Sequence, residues 1–188
     1  MAKHQTIGAG EIKTAIQRLA DAIAERHRDG KPLLLLGIAN GGIELARRLS
    51  VLLPERHPRL TARAGTLDIS FHRDDIGRHP IPKEFAPTQI PGDVHGAVVI
   101  LIDDVLFSGR TVKAALDELF DHGRPTKVEL AVLVDRGGRR LPMAADYVAI
   151  DLVTPQSEKV VVTLDAKNSS ADSIRIEPAS AGTRESAS

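Results

Sequence analysis

Two neighbouring carboxylates, Asp103 and Asp104, end the apolar run Ala97 to Ile102 and are followed shortly by the small-residue turn Ser108, Gly109, Arg110 and Thr111. In an open α/β sheet, ligands bind outside the carboxyl ends of the strands, which is where such a run would deliver the two acids. A turn leading into a helix presents unpaired backbone N–H groups and the positive end of the helix dipole, and phosphate fits there. Acids beside a phosphate cradle repel an anion unless they meet neutral hydroxyls or a cation. A ribose 5′-phosphate that carries Mg²⁺ satisfies both halves. Taken alone, a DD pair can simply end a strand and SGRT can simply cap a helix; it is their union in VVILIDDVLFSGRT that points to a ligand. A Walker A loop is excluded, because GIANGG has no Lys-Ser/Thr after it, and GIANGG is not a GxGxxG motif.

The elements that must position these residues follow from hydrophobic periodicity. Ile12, Ala15, Ile16, Leu19, Ala20 and Ile23 form one stripe at helical spacing, closed by Gly30. Leu33 to Leu36 is a short unbroken apolar run, Ile43 to Leu53 resumes a helical period, and Ala97 to Ile102 then Val112 to Phe120 repeat the alternation. A third apolar run spans Val128 to Val134 and a later one Lys159 to Leu164. Unbroken runs alternating with helices predict an α/β fold with a parallel sheet covered on both faces. Residues 68–95, rich in proline, histidine and mixed charge, read as a long loop, either an active-site cover or a disordered insertion.

The chain of 188 residues carries 25 Lys+Arg against 25 Asp+Glu, no Cys, no Trp and one Tyr. That length suits one domain with one core. Zero formal charge gives no global pull toward nucleic acid or an anionic membrane. Lack of cysteine excludes disulfides, Cys-based zinc sites and a thiol nucleophile. No apolar leader or long apolar run is present, so the expectation is a cytoplasmic protein without a membrane partner.

LDISFHRDD at 67–75, DDVLFSGRTVKAALDEL at 103–119, GRP at 123–125, LAVLVDRG at 130–137 and LPMAADYV at 141–148 together resemble the PyrR family, pyrimidine-operon regulators that double as uracil phosphoribosyltransferases. The resemblance runs from about Glu11 to Leu164. It implies a type I phosphoribosyltransferase fold: a five-stranded central parallel sheet flanked by helices, a flexible loop and a small C-terminal hood. The expected layout is a transferase domain over 10–166, a mobile loop at about 71–95, and disordered termini at 1–9 and 179–188. The implied reaction joins uracil, or a related base, to the phosphoribosyl group of phosphoribosyl pyrophosphate (PRPP), giving UMP and pyrophosphate with Mg²⁺. Dimers or higher homo-oligomers are implied as well.

On that template Asp103, Asp104, Val105, Leu106, Phe107, Ser108, Gly109, Arg110 and Thr111 would hold the phosphoribosyl group. The two carboxylates would take the ribose hydroxyls and contact the metal mostly indirectly, while stabilising positive charge on the ribosyl carbon. Ala39, Asn40 and Gly41, after the first core strand, would face pyrophosphate. Arg73 is the expected closing catalytic cation, the alternative being a solvated loop arginine. Val134, Asp135, Arg136, Tyr147 and Val148 match the family's base pocket, with Tyr147 either stacking on the pyrimidine or serving as a core tyrosine.

The sequence also departs from the family. It reads IANGG where the family has IKTRG, YVAID where it has YVGKN, and Gly138 where a histidine follows DRG. The first helix keeps Lys13 and Arg18 but rearranges the residue types that the family associates with binding messenger RNA. Phosphate contacts dominate RNA affinity, so these losses argue against RNA as a partner. Lys13, Arg18, Arg139 and Arg140 are the cations left for a basic patch. The alternatives to an enzyme are an RNA-binding attenuator that senses UMP or PRPP, and a silent nucleotide sensor.

Overall fold

The structure, a computed structural model, describes residues 6–72 and 86–179. The chain runs β1 (Thr6–Gly8), α1 (Ala9–Arg26), β2 (Leu33–Ile38), α2 (Gly41–Arg56), β3 (Ala62–Leu67), β4 (Val98–Leu106), α3 (Arg110–Asp121), β5 (Lys127–Asp135), β6 (Tyr147–Asp151), β7 (Glu158–Thr163), a 3₁₀ turn (Ser169–Ala171) and β8 (Ser173–Pro178). Five of these strands make one parallel sheet in the order β3-β2-β4-β5-β6, and β1-β8-β7 make a separate antiparallel sheet. The class is therefore α/β, as the alternating pattern requires.

The run LLLLGI of β2 is buried at every position because helices cover both faces of the sheet. On one face, the α1 stripe Ile12, Ile16, Leu19 and Ile23 and α2 residues Leu45, Leu49 and Leu53 meet Leu33, Leu35, Ile100 and Ile102. On the other, α3 residues Val112, Ala115 and Leu119 meet Leu34, Leu36, Val99, Leu101 and Val132. Each fully buried aliphatic side chain contributes about 1.5–3 kcal/mol, so the two layers hold the strand ends rigidly enough to carry a site.

The small antiparallel sheet is the hood, and it changes the expected boundaries. Thr6–Gly8, expected to be a disordered terminus, pair with Arg175 to Ser173 of β8, and the folded region runs on past residue 166 to Pro178. β1 and β8 are too short and too mixed in character to read alone, whereas β7 matches the run at 159–164. Arg48 of α2 fastens the hood with a bidentate pair to Asp172, at 2.5 and 3.0 Å, and a bond to the Asp165 carbonyl at 2.7 Å.

Of the expected mobile loop at 71–95, residues 86–95 are laid against the sheet. Gln89 exchanges both backbone hydrogen bonds with Thr66 of the edge strand β3, and Val94 is buried. Such a cover blunts an open strand edge.

Candidate functional site

The C-terminal edge of the parallel sheet gathers three loops. β4 carries Asp103 and Asp104 near its end, in register with Val132 to Val134 of β5, and delivers the turn 107–109 to the first residue of α3, Arg110. β2 delivers Ala39 and Asn40 to the start of α2; the Ala39–Asn40 peptide is cis, and the Ala39 N–H donates to the Leu67 carbonyl at 2.9 Å. β5 delivers Asp135, Arg136, Gly137 and Gly138.

Glycine is required where α2 starts. A Cβ on Gly42 would lie 1.9 Å from the Ile102 carbonyl oxygen, and one on Gly41 would lie 2.4–2.5 Å from the Asp104 carboxyl. The absence of a cation from IANGG thus has a packing counterpart: the Asp104 carboxylate fills the space in which a side chain at 41 would begin. This contact also brings the expected pyrophosphate loop, Ala39, Asn40 and Gly41, directly onto the acid pair.

Asp103 is buried and accepts the Asp104 N–H at 3.0 Å. Burial pushes its carboxyl well above the ordinary range, and the neighbouring Asp104 charge adds to the shift. Burial raises Asp104 too, partly offset by bonds from backbone N–H groups. Among the described residues no cation pairs with either acid. Two desolvated carboxyls without a counter-charge are an arrangement suited to a bound cation or to hydroxyl donors. No third His, Cys, Asp or Glu joins them into a metal site among the described residues, so a divalent ion here would draw its other ligands from a substrate.

Phe107, Ser108, Gly109 and Thr111 surround the start of α3, where the macrodipole favours an anion. The carbonyls of Leu106 and Ser108 are taken by backbone N–H groups from the β5 side: Arg136 N–H donates to Leu106 O at 3.1 Å, and Arg140 and Leu141 N–H both donate to Ser108 O at 3.0 Å. Arg136 lies over the Phe107 ring at 4.0 Å, and desolvation lowers its pKa. Asp135 O accepts from Leu152 and Arg136 O from Thr154, which brings the segment after β6 alongside. Arg136 Nε and Thr154 Oγ1 are both buried without a partner, so this corner holds polar atoms that a ligand could satisfy.

Five expected site residues lie elsewhere. Tyr147 sits in the core, its hydroxyl donating to Glu129 Oε2 at 3.0 Å, 3.2 Å from His27 Nε2 and under the Arg26 guanidinium. It pairs with Ala131, four residues and about 13 Å along the strand from Asp135, which sets its ring well below the sheet edge where a base would bind. Val148 pairs with Val132 on β6, the edge strand of the sheet, and its side chain packs against the α3-side core. Val134 is fully buried within β5, while Val105 and Leu106 serve the two cores. The residues bordering the corner instead are Val153, 83% exposed, and Thr154. A sequence signal for them is absent, since LVTP carries no chemical pattern. Arg73 falls outside the described residues.

The basic patch is also reduced. Arg139 is turned inward, paired with Asp135 and bonded to the Phe107 and Met143 carbonyls, so it does not join exposed Lys13 and Arg18 on α1.

Comparison with known proteins agrees with this geometry. The family described as Phosphoribosyl transferase domain matches residues 8–167. A "Bifunctional protein PyrR" of Roseiflexus sp. is 42% identical over 177 residues, 94% of this chain and 96% of that protein. Its namesake in Streptomyces coelicolor is 50% identical over 155 residues, covering 82% and 79%. Among solved structures, the hypoxanthine phosphoribosyltransferase of Trypanosoma cruzi superposes with a TM-score of 0.67 at 20% identity, covering 92% of this chain and 95% of that one, which speaks for the fold.

Proposed function

The chain belongs to the phosphoribosyl transferase domain family, among the PyrR proteins, and from that membership we propose that it transfers the phosphoribosyl group of PRPP to uracil, giving UMP and pyrophosphate. The observation that carries this reading is the uncompensated acid pair Asp103–Asp104, abutted by Gly41 on one side and continued into an anion-binding turn on the other.

In this reading the backbone N–H and hydroxyl groups of Ser108 to Thr111 hold the 5′-phosphate, and Asp103 and Asp104 accept bonds from the ribose hydroxyls. As the bond from the ribosyl carbon to pyrophosphate breaks, positive charge grows on the sugar, and the nearby carboxylates stabilise it. Uracil nitrogen forms the new bond to the ribosyl carbon, and its proton passes to the released pyrophosphate or to solvent. No covalent intermediate with the protein is needed, because orienting two reactants and excluding water supplies much of the rate. Mg²⁺ bound with PRPP would neutralise the departing pyrophosphate. Asn40 and the backbone at 39–41 would contact that pyrophosphate, and Arg136 with Thr154 would read the base edge, taking the place expected for Tyr147 and Val148.

The test is UMP formation from uracil, PRPP and Mg²⁺, with Asp104→Asn alongside and hypoxanthine, guanine and orotate as competing bases. No rate above the Asp104→Asn variant would overturn the transferase reading and leave a nucleotide sensor. A second activity is suggested by the word "bifunctional" in the relatives' name. For this chain we place RNA binding second, because Arg139 is committed internally; leader RNA bound tightly with a steep salt dependence would reverse that order.

A further inference from the structure

We propose that Arg139 is a positioning residue that shapes the phosphate-binding turn from behind, an inference that rests on the transferase reading for the identity of its ligand. Its guanidinium spans three segments. Nη1 donates to the Phe107 carbonyl at 2.8 Å, Nε donates to the Met143 carbonyl at 3.0 Å, and Nη2 pairs with the Asp135 carboxylate. Longer contacts of 3.4 Å reach the Leu106 and Gly137 carbonyls. The next two residues continue the same face, their N–H groups both bonding the Ser108 carbonyl.

The consequence follows from peptide geometry. In a trans peptide the C=O and the following N–H point in opposite directions. Drawing the Phe107 and Ser108 carbonyls onto residues 139–141 therefore turns the Ser108 and Gly109 N–H groups the other way, toward the side on which the anion binds. Arg139 thus orders the donors without touching the phosphate. Gly138 permits the approach: it holds φ +74°, and a Cβ there would come 2.5 Å from the Phe107 ring, so the histidine usual at this position in the family is replaced by the residue that lets 139–141 close on 106–108. Lysine cannot replace Arg139, because one ammonium does not span two carbonyls and a carboxylate in this fan.

The experiment compares wild type, Arg139→Lys and Arg139→Met. Calorimetric titration with PRPP and Mg²⁺ should show affinity lowered at least tenfold in both variants, with KM for uracil within twofold of wild type and a retained cooperative melting transition. Hydrogen exchange should show the Arg140 and Leu141 amides exchanging at least tenfold faster. Arg139→Lys behaving as wild type in both measurements would overturn the proposal, since charge alone would then suffice. Equal losses of PRPP and uracil affinity would overturn it as well, indicating a loosened fold. A wild-type protein that neither binds PRPP nor forms UMP defeats the transferase reading, and the exchange rates at 140 and 141 still decide whether Arg139 holds the turn.

Discussion

The parallel sheet buries carboxylates at both of its ends, and they are treated in opposite ways. Near the start of β5, Glu129 is almost wholly enclosed, yet its carboxyl is held below the ordinary range: burial alone would raise it, but Lys127 at 2.5 Å, His27 at 2.6 Å and the Tyr147 hydroxyl at 3.0 Å outweigh burial. Near the end of β4, buried Asp103 and half-buried Asp104 have no such partners among the described residues and are raised. The first site is charge-paired within the protein. The second lacks a counter-charge among the described residues, which suits it to a bound cation or to hydroxyl donors. A partnered buried charge serves the fold, whereas an unpartnered pair at the C-terminal edge marks a place where stability has been given up for binding.

Removing one side of that contrast gives the largest expected change. Glu129→Ala leaves His27 and Lys127 facing an enclosed gap and should destabilise the protein by about 3–5 kcal/mol, measured by denaturant unfolding. Because the folded Glu129 pKa is depressed, its contribution is present above the unfolded carboxylate range and disappears as pH falls through the folded value. The gap between wild type and Glu129→Ala should therefore narrow in acid. A gap that stays constant with pH would mean that packing, not charge, holds this end.

The other end should respond with the opposite sign. Asp104→Asn should lower kcat/KM by about 100- to 1000-fold, as loss of one preorganised electrostatic group does. Asp103→Asn should also lower activity and yet raise Tm of the ligand-free protein at pH 7. Its folded pKa lies above the unfolded one, so the native acid binds its proton more tightly, and stability is lost as pH rises from the unfolded pKa through the folded one. Each kcal/mol recovered is worth about 2–4 °C, and the advantage should vanish near pH 3, where the carboxyl is protonated in both states. An Asp103→Asn protein less stable than wild type at pH 7 would remove the distinction between the two ends.

How much of this was legible in the sequence depends on where each element's partners lie. β2, β4 and β5 announced themselves as unbroken apolar runs, and α1 and α2 by their stripes, because burial on both faces writes itself into local composition. β3 did not: ARAGTL is an edge strand with half-buried side chains, completed by Gln89 from a distant segment. β1 and β8 depend on each other across almost the whole chain. In the site, adjacency along the chain made the acid pair and the turn before α3 readable. The contact of Gly41 with Asp104, the inward course of Arg139 and the corner at Thr154 arise from loops far apart in sequence, and composition carries no trace of them.

The glycine pair at the start of α2 tests how closely the binding end is built. Gly42→Ala drives a methyl against the Ile102 backbone, which cannot yield, and should cost about 1–3 kcal/mol of stability. In Gly41→Ala the atoms nearest the new methyl belong to the Asp104 carboxyl, which can swing away. It should leave Tm nearly unchanged and lower kcat/KM, since the acid is displaced from the site. Equal destabilisation by both variants would show Asp104 to be as fixed as backbone.

The smallest expected effect separates the two roles open to the one tyrosine. As a member of the Glu129 network, its hydroxyl contributes a single bond to a carboxylate that keeps two other partners, and its own pKa is pushed well up, first by burial and then by that bond. Tyr147→Phe keeps the ring and deletes only the bond, so it should lose about 1 kcal/mol while KM for uracil stays at the wild-type value. A Phe variant as stable as wild type would detach the hydroxyl from the network, and a raised KM for uracil would return Tyr147 to the base pocket. The loss of stability without loss of uracil affinity would instead assign Tyr147 to the charge-paired end of the sheet, leaving base recognition to Arg136 and Thr154.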